Sequence, residues 1–258
     1  MFVMSLLFRY LLFSCFFIVS FYSQSVHAQQ KYTIYLDADF SGATASSLAI
    51  KQGITTALAE VGNQIQGFEF EIILRDHRAN SLRSRRNLEA FLADEQALMV
   101  FSGLHSPPLL ANKSFINENG ILLLDPWAAA GPITRSTSEN NWIFRLSIDD
   151  SNAGRYISNK AIEQGFRKPY LLLEDTGWGR SNAQTMVQAL KDSSIKNLGV
   201  SWFNWGVGEN HAKVLLRDIK ACGADVIFFV GNSVEGATFI NAMIELPQSL
   251  HLPIRSHW

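Results

Sequence analysis

The chain is short of the residues that most often announce a chemistry. Cys15 and Cys222 are the two cysteines in 258 residues, so a disulfide framework or a cysteine-rich metal site is excluded. Lys and Arg number 22 against 23 Asp and Glu, a formal net charge of −1. With that balance, and no basic run long enough to track phosphates, nucleic-acid binding is excluded as well. The one dense basic patch, Arg83, Arg85 and Arg86, shares a predicted helix with Glu89 and reads as a solvated face. Familiar catalytic spacings are missing too. No His-Glu-x-x-His is present. Gly177-Trp178-Gly179-Arg180-Ser181 lacks the third glycine and the lysine of a nucleotide turn. Gly231-Asn232-Ser233 lacks the frame of a nucleophile elbow.

A strongly apolar stretch, Tyr10 to Tyr22, lies near the N-terminus behind a segment with one positive charge, Arg9. It is shorter than the ~20 residues that span a membrane comfortably, and Val26-His27-Ala28 supplies small residues for a signal peptidase. The expectation is a signal peptide over residues 1–28, cleaved after Ala28, which leaves about 230 residues for export. Removal of Cys15 with that peptide leaves Cys222 alone, so the exported chain must hold together by its core. Cys222, at a helix-to-strand junction, is expected to be a buried small apolar residue.

What is present is a regular series. Six apolar runs (TIYL, FEIIL, ALMVFSG, ILLL, YLLL and VIFFV) are each followed by a polar or aromatic cluster and then a helix-like segment. Ile50, Ile54, Ala57, Leu58 and Val61 recur at helical spacing, as do Leu88, Phe91 and Leu92. Further helices are expected over 106–119, 152–164, 180–191, 210–222 and 234–246. Alternation of this kind implies βαβ units and parallel sheets. The series runs twice, with Trp142-Ile-Phe-Arg-Leu146 between the sets. The expected fold class is therefore α/β, with two Rossmann-like lobes, each around a parallel central sheet, and a ligand cleft between them. The N-terminal lobe is placed at 29–147 and the C-terminal lobe at 148–251. Residues 252–258 read as a strand returning towards the first lobe and cut short, as in a fragment or a truncated protein.

The order of these motifs resembles the type I periplasmic binding proteins of branched-chain amino acid ABC transporters. The resemblance runs from Lys31 to Trp258. It rests on DADFSG after the first strand, SGLHS after the third, GILLLDPWAAA before a Trp-Ile-Phe-Arg strand, then EDTGWGRS and ADVIFFVGNSVEG. It implies a periplasmic protein without catalysis or cofactor, whose lobes close by a hinge on an amino acid or amide-like small molecule. Delivery to an ABC permease in the inner membrane follows from the same resemblance. Such chains usually continue beyond the point reached here.

The resemblance also assigns roles. Ser106, at the start of a helix and next to His105, matches the position that holds a ligand carboxylate by its hydroxyl and by helix N–H groups. The loop carrying Trp127, Ala128 and Ala129 matches the next ligand contact, where relatives often carry a hydroxyl. Trp178 matches the aromatic cover from the second lobe, and Glu235 the acid for an α-ammonium group. The lost hydroxyl at Ala129 departs from the pattern. So does the missing cleft-side disulfide, with Ala79 and His105 at its expected positions. Trp127, Trp178 and Trp205 make the cleft unusually aromatic, suited to stacking or to enclosing a cation.

Two rival readings remain open in the sequence. A sensory module reporting to a membrane receptor or kinase would have identical lobes. An enzyme would require Asp37, Asp39, Asp76, His77 and His105 to converge near the rim of the first lobe for metal or acid–base chemistry.

Overall fold

The computed structural model describes residues 30–135 and 140–256. The expected signal peptide and its cleavage site lie outside them. The β-branched and aromatic runs pair as predicted. Strands β1 (Lys31–Ala38), β2 (Gln64–Ile65), β3 (Phe68–Asp76), β4 (Ala97–Ser102), β5 (Leu123–Asp125) and β6 (Ile143–Arg145) form one sheet in the order β2-β3-β1-β4-β5-β6. Only β2 runs antiparallel to its neighbour; the other pairings are parallel. Strands β7 (Pro169–Glu174), β8 (Val200–Phe203), β9 (Val226–Val230) and β10 (Ile254–Ser256) form a second, wholly parallel sheet in the order β10-β9-β7-β8.

Seven helices serve as the crossovers among the described residues: α1 (Thr44–Glu60), α2 (Ser81–Leu92), α3 (Ser106–Glu118), α4 (Asp150–Glu163), α5 (Gly177–Asp192), α6 (Glu209–Ala221) and α7 (Ser233–Ile244). Their starts follow local chemistry. Asn80 caps α2 by accepting the Arg83 N–H, Asp149 caps α4 from Ser151, and Thr176 caps α5 from Gly179. None of the described helices is long and apolar enough to cross a membrane.

Strand β8 has no counterpart in the sequence pattern, because Val200-Ser-Trp-Phe203 is four residues long and mixes polar with aromatic groups. Two other expectations need correcting. Residues 254–256 do not turn towards the first sheet; they extend the second one, Ile254 pairing with Ile227, where the edge of β9 would otherwise lie open. Cys222 is exposed, not buried. It is the C-cap of α6, and the chain turns away at Gly223 with φ of 80°. The basic patch does lie on α2, with Arg83 and Arg86 exposed and Arg85 bonded to Glu89 at 3.0 Å.

The core is continuous from one half to the other. Tyr35, Val100 and Leu123 of the first sheet belong to one buried cluster with Leu171, Val226 and Phe228 of the second. Helices α3 and α5 form part of the seam. There Leu110 approaches Gly177 so closely that a Cβ on the glycine would stand 2.4 Å from its Cδ1. A second cluster lies under α6 and α7, where Phe203 and Phe229 stack with centroids 5.5 Å apart. Phe239 meets Phe203 at 5.0 Å and Phe229 at 5.5 Å.

One buried acid shapes the loop after β5. Asp125 is fully buried. Its Oδ1 accepts the N–H groups of Trp127 and Ala128 and the Ser102 hydroxyl, while Oδ2 has no hydrogen-bond partner among the described residues. Burial pushes its carboxyl up to about 7, against those hydrogen bonds and the charge of Arg145.

Removal of the Phe239 ring leaves a cavity that its aromatic neighbours cannot fill. Phe239→Ala is expected to cost about 3–5 kcal/mol of stability, read from guanidinium denaturation; a loss below about 1 kcal/mol would show that the cluster collapses onto the gap. Asp125 predicts a pH dependence. Its folded pKa of about 7 lies above the ordinary 3.8, so the folded chain holds the proton more tightly. The stability it contributes is full below about pH 4 and is lost as the pH rises to about 7. Thermal melts between pH 5 and 8 should therefore show a smaller decline for Asp125→Asn than for the unaltered protein. An equal decline would count against this role.

Candidate functional site

In open parallel sheets a crevice opens at the carboxyl ends of the strands where the strand order reverses. The first sheet reverses at β1, between β3 and β4, and the second at β7, between β9 and β8. The loops beyond these two points face each other and enclose a cavity of about 730 Å³, within the range of small-molecule sites.

Most of the expected residues meet there. Asp39, His105, Ser106, Trp127 and Ala129 line it from the first half, and Trp178 and Glu235 from the second. Ala128 does not. It is buried, with its N–H turned back onto Asp125, because that carboxylate curls the loop inward. Trp205 also lines the cavity. Its ring lies 4.8 Å from that of His105, centroid to centroid, so the two halves touch across the cleft.

In the first-half wall the donors of the turn after β1 are already in use. Asp39 follows β1 directly, and its Oδ1 accepts the N–H groups of Ser41 and Gly42 at 3.1 and 2.7 Å. Its Oδ2 lies 3.1 Å from His105 Nε2. Burial pushes Asp39 up, but the Gly42 and His105 bonds outweigh it and hold the carboxyl below its ordinary range. Burial also holds His105 below its ordinary value despite Asp39. A neutral imidazole with its proton on Nε2, donating to an ionised Asp39, satisfies both shifts.

Ser106 opens α3, and its Oγ accepts the Ala130 N–H at 3.3 Å, leaving the hydroxyl proton to donate. The helix N–H groups expected beside it are largely missing. Pro107 and Pro108 follow at once, and proline has no N–H.

The five-residue Asp/His cluster does not assemble. Asp37 faces α2, bonded to Ser84 and Asn87 at 2.6 Å each. Asp76 holds the turn after β1 through Phe40 N–H and the Ser41 hydroxyl. His77 is buried and accepts the Ala79 N–H on Nδ1; burial and the neighbouring His105 pull it down to about 4. These groups brace turns. No group of three or more His, Cys, Asp or Glu among the described residues is arranged to hold a metal.

The second-half wall carries a residue that sequence reasoning misses. Glu174 ends β7 inside the EDTGWGRS cluster and is buried. Thr176 donates to its Oε1 at 2.7 Å, and Trp205 and Asn232 to its Oε2 at 3.1 and 3.0 Å. Burial first, and then the charge of Glu235, push it up to about 7. Its position as the last residue of a strand beside the switch point is the signal that could have found it. Glu235, in the first turn of α7, is 5 % exposed, and its Oε1 accepts the Gly206 N–H at 3.0 Å. Trp178 is 7 % exposed and donates from Nε1 to Asp150 Oδ1 at 2.8 Å. Gly179 in the same turn is needed for close approach, since a Cβ there would stand 1.9 Å from the Glu174 carbonyl oxygen. Gly179 therefore serves helix-to-strand packing, and Gly177 the approach of α3.

Comparison with known proteins identifies the fold and the family. A Brucella melitensis protein described as Leu/Ile/Val-binding protein homolog 3 is 22% identical over 190 residues, which cover 72% of this chain and 50% of that protein. The chain thus spans half the length of this curated relative. Among solved structures, an R. palustris ABC-transporter solute-binding protein in complex with 4-hydroxybenzoate superposes with a TM-score of 0.79 at 19% identity, covering 88% of this chain and 61% of that one. A Desulfitobacterium hafniense ABC transporter substrate-binding protein in complex with Leu gives 0.70 at 18% identity, covering 88% and 66%. These likenesses establish the fold. Residues 34–246 match the profile of a family of binding proteins, not enzymes. With two mainly parallel sheets closing their switch points on one cavity, the chain belongs to the periplasmic binding protein family, in its type I form, and is similar to Leu/Ile/Val-binding proteins.

Proposed function

We propose that this protein is an exported solute-binding protein of an ABC importer, active in the periplasm after cleavage behind Ala28. It captures a small molecule by closure of two lobes, residues 29–147 and 148–251, and presents it to an inner-membrane permease. The observation that carries the reading is the cavity of about 730 Å³ between the switch points of the two sheets. The amino acid and hydroxybenzoate complexes of the solved neighbours support a ligand of that size.

The walls divide the work. Ser106, with a hydroxyl proton to donate, holds a polar group from the first lobe. Trp127 and Trp178 cover the body of the ligand. Glu235 receives an ammonium group, and its buried position makes the charge-assisted bond strong. Hinge closure exchanges water in the cleft for the facing wall, of which the contact between His105 and Trp205 is a part.

Three tryptophans line the cavity, so ligand entry should change intrinsic fluorescence. Titration with amino acids and amides is expected to give a saturable signal, with each ligand recovered chemically unchanged. For an amine-bearing ligand, Glu235→Ala should weaken binding by about 2 kcal/mol or more in calorimetry. Equal affinity in the variant would remove Glu235 from the site.

A further inference from the structure

Resting on the solute-binding reading, we infer that Glu174 is a positioning residue for a latch across the cleft, holding the Trp205 ring where it meets His105 when the two lobes close. Trp205 is anchored through both side chain and backbone. Glu174 ends β7 with 1% of its surface exposed, and its Oε2 accepts from Trp205 Nε1 at 3.1 Å. Asn232 donates to the same oxygen at 3.0 Å and Thr176 to Oε1 at 2.7 Å, so both oxygens are engaged and the carboxyl is fixed in place. In the loop after β8, Gly206 gives its N–H to Glu235 at 3.0 Å. Val207 gives its own to the Asn204 carbonyl at 3.2 Å, closing a turn around Trp205.

The opposite side is built in the same way. The His105 side chain is 9% exposed, and its Nε2 lies 3.1 Å from Asp39 Oδ2. Asp39 is held in turn by the N–H groups of Ser41 and Gly42 on its Oδ1. The two sets meet where the rings face each other, with centroids 4.8 Å apart and planes tilted by 40°. That separation falls in the range of attractive aromatic pairs. The α3–α5 seam also joins the halves, by apolar packing and by Asp150, but His105, Trp205 and Glu174 line the cavity itself.

The division of bonds matters for closure. Those that orient Trp205 join residues of the second half, and those that orient His105 join residues of the first. Opening of the cleft therefore parts the rings and leaves each in its holder. Closure recovers the contact without ordering either side chain anew, which removes the entropic cost of immobilising it. A contact made in the closed state alone slows ligand release and leaves ligand entry unaffected.

Stopped-flow measurement with leucine and with 4-hydroxybenzoate, read by intrinsic fluorescence, separates association from dissociation. His105→Ala and Trp205→Ala are each expected to raise the dissociation rate about two- to tenfold, with association within about twofold of the unaltered protein. The double variant should release ligand no faster than the faster single one, because the rings act as a pair. Trp205→Phe keeps a ring but gives up Nε1–H, and should release ligand nearly as fast as Trp205→Ala. Glu174→Leu should do the same, and Glu174→Gln, which keeps an acceptor, should recover most of the effect. In the His105→Ala background none of these changes should speed release further. Effects that multiply in the double variant would overturn the latch. An unchanged dissociation rate in Trp205→Phe would overturn the role of Glu174, whether or not Glu174→Leu folds. Silence from both compounds would count against the solute-binding reading instead. The same cycle read from melting temperatures then decides the latch: additive losses overturn it, and a double variant no less stable than the poorer single one upholds it.

Discussion

A single buried carboxylate ties the halves of this molecule together. Asp150 begins α4, and its Oδ1 accepts from Trp178 Nε1 and Asn182 Nδ2 at 2.8 and 2.9 Å. Its Oδ2 accepts from Gly131 N–H at 3.3 Å. Gly131 follows the loop of β5, and Trp178 and Asn182 lie on α5, so one side chain joins the first sheet's loop to the second sheet's helix. Burial pushes Asp150 up to about 6, opposed by the hydrogen bonds made to it. Such a group is costly to bury unless every oxygen is used. Both oxygens are used, and Trp178 is held in the cavity wall as a consequence.

Acids at the strand ends recur as organisers. Asp39 and Asp76 hold the turn after β1, Asp125 curls the loop after β5, and Glu174 gathers Thr176, Trp205 and Asn232 after β7. Each takes N–H or O–H donors that would otherwise face water or ligand. The same contacts that give the cleft its shape therefore fix which donors in these turns are already taken. A donor satisfied internally is unavailable to a solute.

Much of the fold is legible in the order of residues. The run Val-Ile-Phe-Phe-Val at 226–230 is continuous and apolar because both faces of a parallel sheet are covered. Strand β8 is hidden, since Ser201 and Trp202 break its apolar pattern and its pairing with β7 is what defines it. The glycine pattern at Gly177–Ser181 lacks the marks of a nucleotide turn, and the reason for Gly179, its approach to the Glu174 carbonyl, is visible only in space. Cys222 defeats the expectation of burial because residue type suggests an interior position while its place at the end of α6 turns it outward.

Alternation of apolar runs with helical periodicity determines, from sequence alone, a pair of parallel sheets with chemistry at the strand ends. It thereby places Asp39, Ser106, Trp178 and Glu235 near one cleft, because their positions follow from where strands stop. Hydrogen-bond partners do not follow from that pattern. That Asp39 takes His105, that Asp37 turns away to α2, that Ala128 leaves the wall and that Glu235 takes the Gly206 N–H were decided by tertiary structure. The physical reason is that strand order is governed by hydrophobic burial, which periodicity encodes, whereas hydrogen-bond satisfaction depends on neighbours far apart in the chain.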